Sequence, residues 1–193
     1  MKSFSDLLIT LLLALACLSP IAFAELREVV VSHADEKGVL QLYRMKEDGS
    51  ESIQLTFSKR GCRMPSVSPD GQKLAFVEQV DHSLAIRVSG LDGLNIKTLT
   101  DGGMNLIPSW FPDSDQLVFM KVNPKPKQDP ARNAKIYFIN LITGKTKRLF
   151  TDKEQLKYSN AMPVISPKGE QIAFISDRSG EMRVWVSTLD GSG

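Results

Sequence analysis

Cysteine and histidine are scarce in this sequence of 193 residues, with two of each. That leaves little material for a zinc site or a disulfide framework. Net charge is also small, since 24 Lys and Arg against 22 Asp and Glu give +2. So small an excess excludes a nucleic-acid binder that relies on overall positive charge. After the first 24 residues no apolar run approaches the roughly 20 residues that cross a bilayer as a helix. A Gly-x-Ser-x-Gly elbow, a His-Glu-x-x-His helix and a phosphate loop are all missing. Catalysis and cofactor binding therefore have no residue to rest on, and a protein without enzymatic activity or cofactor is expected. What the chain does have is 42% apolar and 24% charged residues. Those values fit an ordinary globular protein and oppose disorder.

Residues 1–24 read as a cleavable signal peptide. Lys2 gives a positive start, Leu7 to Leu18 forms an apolar stretch, and Ala22-Phe23-Ala24 places small residues at −3 and −1. Cleavage after Ala24 predicts a periplasmic or secreted chain of 169 residues beginning at Glu25. A transmembrane anchor and lipidation at Cys17 are the competing readings. Cleavage leaves Cys62 as the one thiol, read as an inert loop residue or as an intermolecular bridge.

The remainder is a repeat. Ser68-Pro69-Asp70-Gly71 precedes Leu74-Ala75-Phe76-Val77, and Phe111-Pro112-Asp113-Ser114 precedes Leu117-Val118-Phe119-Met120. Ser166-Pro167-Lys168-Gly169 likewise precedes Ile172-Ala173-Phe174-Ile175. Pro69, Pro112 and Pro167 stand 43 and 55 residues apart. Proline pre-sets the first corner of a type I turn, aspartate bonds the turn backbone, and glycine takes the left-handed position that follows. The four apolar residues after the turn fit a strand covered on both faces. Later markers recur as well. They are Asp48-Gly49, Asp92-Gly93, Thr143-Gly144 and Asp190-Gly191, then Leu55-Thr56, Leu99-Thr100 and Leu149-Phe150-Thr151. Each unit thus reads as four antiparallel strands, a to d, with tight turns between a and b and between c and d. Four strands per 43–55 residues is the spacing of a β-propeller blade. No stretch shows a sustained helical period.

These markers resemble the WD40-like repeat of the TolB-type β-propeller. Pro65-Ser66-Val67-Ser68-Pro69-Asp70-Gly71 and Pro108-Ser109-Trp110-Phe111-Pro112-Asp113 are similar to its opening, with Ser114 in place of glycine. Pro163-Val164-Ile165-Ser166-Pro167-Lys168-Gly169 is looser, while Ser176-Asp177-Arg178-Ser179-Gly180 is similar to its middle element. The resemblance covers residues 28–193 and implies an all-β fold of propeller type. It implies a partial TolB-like propeller over residues 25–193 that recognises a periplasmic protein or cell-envelope component without catalysis. The competing implication is the propeller portion of a prolyl-oligopeptidase-like hydrolase.

Units 28–56, 63–100, 107–151 and 162–191 supply three, four, four and three strands. That is about three and a half blades of an expected six-bladed ring. Three explanations stay open: a piece of a longer propeller, self-association through open sheet edges and faces, or capping by another protein.

Alternation sorts the connections into two faces. The a–b and c–d turns share one face, where Pro69, Asp70, Gly71, Pro112, Asp113, Pro167 and Gly169 read as structural. The b–c and d–a connections share the other and vary in length, which is where function is expected. There the segment from Lys121 to Lys135 carries Lys121, Lys125, Lys127, Arg132 and Lys135 against Asp129. The connection from Phe57 to Arg63 adds Lys59, Arg60 and Arg63 with no acid. These eight residues are either a solvated loop surface or a docking site for an acidic protein or glycan. Nucleic acid is not expected, since no aromatics interleave them. His33, His82, Asp35 and Glu36 read as solvated, Asp177 and Arg178 as a pair stabilising their turn, and Trp110 and Trp185 as blade core.

Overall fold

The computed structural model describes residues 27–123 and 133–192. The signal peptide and its cleavage site lie outside those residues, as do Lys125, Lys127 and Arg132. Among the described residues the chain forms fourteen strands. They are β1 (Glu28–Ala34), β2 (Leu40–Lys46), β3 (Ile53–Gln54), β4 (Cys62–Val67), β5 (Lys73–Val80), β6 (Ser83–Gly90) and β7 (Lys97–Thr98). Then follow β8 (Met104–Trp110), β9 (Gln116–Val122), β10 (Ala134–Asn140), β11 (Thr146–Arg148), β12 (Asn160–Ile165), β13 (Gln171–Ser176) and β14 (Arg183–Thr188).

Antiparallel pairing groups them as β1-β2-β3, β4-β5-β6-β7, β8-β9-β10-β11 and β12-β13-β14. This is the expected series of blades. The middle two are joined by one parallel bridge, Leu84 to Met104. A single helical turn, α1 (Lys153–Leu156), lies between β11 and β12. It is too short to show a period in the sequence, and its start is fixed by the Asp152 side chain accepting from the Gln155 N–H.

The a–b turns follow from their residues. Gly71 (φ 70°), Ser114 (φ 58°) and Gly169 (φ 74°) occupy the same left-handed position. Each donates its N–H to the residue three before it: Ser68, Phe111 and Ser166. Asp70 and Asp113 accept the N–H groups of Gln72 and Asp115. The strands after the first two turns are buried on both faces as expected, with Leu74, Ala75, Phe76 and Val77 at 0% exposure, whereas β13 is fully buried only on the face that carries Ile172 and Phe174. Three clusters of these side chains fill the spaces between successive blades. Each fully buried side chain of this size contributes about 1.5–3 kcal/mol, so the inter-blade layers hold the arc together.

The first strands of the second, third and fourth blades (β4, β8 and β12) each carry a bulge that the sequence markers did not announce. Register shifts between Arg63 and Ser66, Leu106 and Ser109, and Ala161 and Val164. At each shift a residue before proline has left-handed φ: Met64 at 54°, Ile107 at 54° and Met162 at 51°. Proline removes a ladder N–H there, and a bulge is where a strand tolerates that loss.

The last blade leaves an apolar face uncovered. Ile172 and Phe174 face the third blade, so the alternating Ala173 and Ile175 face away. Val164, Val184 and Val186 join them on that side with 55%, 73% and 55% exposure.

Candidate functional site

The b–c and d–a connections gather at one end of the blades, and the structure separates their basic residues by role. Lys59 is exposed in the β3–β4 connection. Arg60 is exposed but pairs with Asp81 of the β5–β6 turn, Nη1 to Oδ1 at 3.1 Å. The acid missing from its own connection is supplied by the neighbouring turn. Arg63 lies inside β4, opposite Val77, not in the connection. It is half-buried, and its Nε has no hydrogen-bond partner among the described residues.

Lys121 and Lys135 also sit in strands, because β9 runs to Val122 and β10 starts at Ala134. They are cross-strand neighbours. Like charges so placed repel. The two ammonium groups diverge to backbone carbonyls on either side: Lys121 Nζ donates to Asp101 at 3.1 Å, and Lys135 Nζ to Tyr158 at 2.5 Å. Asp101 and Tyr158 belong to the d–a connections before and after this blade. Both lysines therefore fasten loops to the blade end, a task invisible in the sequence because the acceptors are main-chain atoms far along the chain.

The same end contains two polar anchors. Gln41, 1% exposed, donates to Ser58 O at 2.7 Å and accepts from Ser58 N and Thr56 Oγ1, both at 3.0 Å. Its amide also reaches Asp35, whose carboxylate accepts from the backbone of Lys37 and Val39. The Val39 N–H is the main cause holding the Asp35 carboxyl below the usual carboxylate range.

Asp177 and Arg178 do not pair with each other as the turn reading supposed; both reach back to β12 and its approach. Asp177 Oδ1 accepts from Ser159 N at 2.8 Å. Arg178 Nη2 donates to Asn160 Oδ1 at 3.1 Å, and its Nε donates to Ser176 Oγ at 3.2 Å. The guanidinium lies 5.0 Å from the ring centroids of Phe150, Phe174 and Trp185. Its partial burial lowers its pKa.

Trp110 is buried as expected, and its Nε1 ties it to Ser66 O of the preceding blade at 2.8 Å. Cys62 is 1% exposed in β4 rather than in a loop, and burial pushes its thiol up to about 11. A thiol so placed is closed to an intermolecular bridge. Among the described residues no group of three His, Cys, Asp or Glu side chains could hold a metal ion.

A series of antiparallel blades of three or four strands, with tight turns at one end and variable connections at the other, defines a β-propeller repeat. No family model matches the chain. A TolB homologue from Chlorobium luteolum is 26% identical over 160 residues, 83% of this chain and 34% of that protein. The crystal structure of TolB from Acinetobacter baumannii superposes with a TM-score of 0.69 at 21% identity, covering 86% of this chain and 40% of that one. A puromycin-hydrolysing peptidase from Mycobacterium tuberculosis matches at 0.66 and 21%, over 90% and 29%. The chain spans about a third of the length of the curated TolB relative. Likeness to the peptidase is one of fold. Repeat markers, blade order and the TolB relatives agree, and this chain is a TolB-like β-propeller repeat protein.

Proposed function

We propose that the protein is an exported, non-catalytic propeller that recognises a periplasmic protein or cell-envelope component through its b–c and d–a connections. The observation that carries this reading is the division of the two ends. One end is closed by stereotyped turns whose side chains satisfy their own backbone. The other presents connections of unequal length built on rigid blades, the usual arrangement of a recognition surface. Lys59 and the basic residues Lys125, Lys127 and Arg132 form the docking set in this proposal. Arg60 contributes after exchanging Asp81 for an acid of the partner. Arg63, Lys121 and Lys135 serve as support, since each is half-buried within a strand. The exposed valines of the last blade support association through that face, with a second copy or a further blade as occupant.

Site-specific photo-crosslinking tests the reading. A crosslinker at Lys59 or His82 in the periplasm should trap one discrete partner, and one at Asp48 or Asp92 on the opposite end should not. Equal trapping from both ends contradicts it. Amino-terminal sequencing of the same material should begin at Glu25, and retention of residues 1–24 contradicts export by cleavage.

A further inference from the structure

The closed, tight-turn end contains an exception between the third and fourth blades. The repeat itself makes the exception visible, because the neighbouring junction provides a matched comparison. Between the second and third blades a cleft of about 310 Å³ is lined by Lys73, Val88, Lys97, Asp115 and Leu141, among others. Lys73 Nζ crosses it, donating to Ser114 O at 2.8 Å and Asp115 Oδ1 at 3.0 Å. Asp70 N–H also donates to Ser114 Oγ at 3.2 Å, so the two turns are tied together.

One junction along, the corresponding cleft is about 620 Å³. Lys147 stands opposite Phe138 as Lys97 stands opposite Val88. The start of the b strand, held by Lys73 in the second blade, is Gln116 in the third, and its amide is turned to Asp113 Oδ2 at 2.7 Å. Among the described residues no side-chain hydrogen bond or ion pair crosses the cleft. Instead the turn of the fourth blade places Lys168 where the other two turns have Asp70 and Asp113. Lys145, Lys147 and Lys168 then line the cleft above an apolar floor that includes Phe111, Phe138 and Leu189. The one acid in the lining, Asp113, has both oxygens engaged, by Asp115 N and by the Gln116 amide. Gly169 keeps the cleft tight at its base, since a Cβ there would stand 3.2 Å from Pro112 Cδ.

We propose that this cleft binds an acidic peptide segment carrying an aromatic anchor. Three ammonium groups, with the one acid of the described lining already engaged, call for carboxylates. The apolar floor calls for a large apolar side chain, which a free phosphate lacks. β11 forms the outer edge of its sheet, and Lys145 and Lys147 lie at and beside it. An extended peptide is the ligand that an open strand edge accepts. The site lies at the opposite end from the docking set proposed above, so each stands or falls separately.

Fluorescence anisotropy with a fluorescein-labelled peptide, Glu-Phe-Glu-Glu-Phe-Glu, tests the proposal. Binding is expected with a Kd of about 10–100 μM at low salt, weakening as salt screens the rim. Lys168→Asp restores the residue of the other turns and should weaken binding about tenfold. Lys145→Gln with Lys147→Gln, on exposed positions, should do the same if Lys168→Asp disturbs the turn. Replacing both phenylalanines of the probe by alanine should weaken binding by at least about tenfold. Lys37→Glu at the other end should leave it unchanged. Absence of binding below 1 mM overturns the proposal. So does affinity indifferent to the lysine variants, equal binding of the alanine probe, or displacement by millimolar inorganic phosphate.

Discussion

Arg178 concentrates more interactions than any other side chain in the fourth blade, and its removal is a quantitative test of how that blade is held. Arg178→Ala deletes a charge-assisted hydrogen bond to Asn160 Oδ1, a group on a residue only 1% exposed. Such a bond contributes about 1.5–3 kcal/mol, part of it through the penalty of leaving the acceptor buried and unpaired. The guanidinium also faces three rings at 5.0 Å each. Contacts of this kind are worth about 0.5–1 kcal/mol apiece where the cation is partly solvated, and three sharing one cation do not add fully. Burial of the charge, which lowers its pKa, offsets some of the gain. The balance is a loss of about 3 kcal/mol on substitution, or a fall in Tm of about 6–12 °C at 2–4 °C per kcal/mol for a chain of this size. Arg178→Lys keeps the charge but loses the planar stack and should fall between the two. Urea and thermal unfolding followed by circular dichroism check both. A change below about 0.5 kcal/mol for Arg178→Ala would refute the anchoring role, because surface substitutions without structural consequence fall in that range.

Three further outcomes follow from the same geometry. Gly93 (φ 80°) presses on the first blade, where a Cβ would stand 2.3 Å from Leu55 O, whereas Gly144 (φ 68°) meets nothing within 4 Å. Gly144→Ala should cost about 1–2 kcal/mol through φ alone, and Gly93→Ala about 2 kcal/mol more, measured by urea unfolding. Cys62 should resist a disulfide reagent at pH 8 in the folded protein and react fully in denaturant. Its raised pKa means that the stability it contributes is complete below the ordinary thiol pKa and is lost as pH rises towards about 11. Titrating unfolding free energy from pH 8 to 11 in wild type and Cys62→Ala should show a decline that the variant lacks.

The blade pattern was legible because its signals are local. Proline, aspartate and glycine fix the a–b turns within four residues, and the apolar runs that follow report burial directly. Serine at position 114 shows the limit of the motif: it replaces glycine yet adopts φ 58°, and its Oγ accepts a bond from Asp70 N in the preceding blade's turn. The bulges at Met64, Ile107 and Met162 were not legible, although Pro65, Pro108 and Pro163 were in view. Proline within an extended run has several solutions, and pairing on both sides selects among them. Charge was the least legible feature. Counting bases placed Arg60, Arg63, Lys121 and Lys135 in one open surface. Asp81, the Asp101 and Tyr158 carbonyls and the strand limits assign three of these four to structure and pair the fourth. Conversely Lys168, at the loosest of the three turn motifs, lines the wider cleft between the third and fourth blades.

The most direct test of the account is the affinity of the full chain for its crosslinked partner, measured with and without charge reversal of Lys59, Lys125, Lys127 and Arg132 to glutamate. On the proposed docking role of these residues, the account predicts a loss of at least about tenfold, with a weaker salt dependence and an unchanged Tm. Unchanged affinity in the folded quadruple variant would contradict recognition through this end of the propeller.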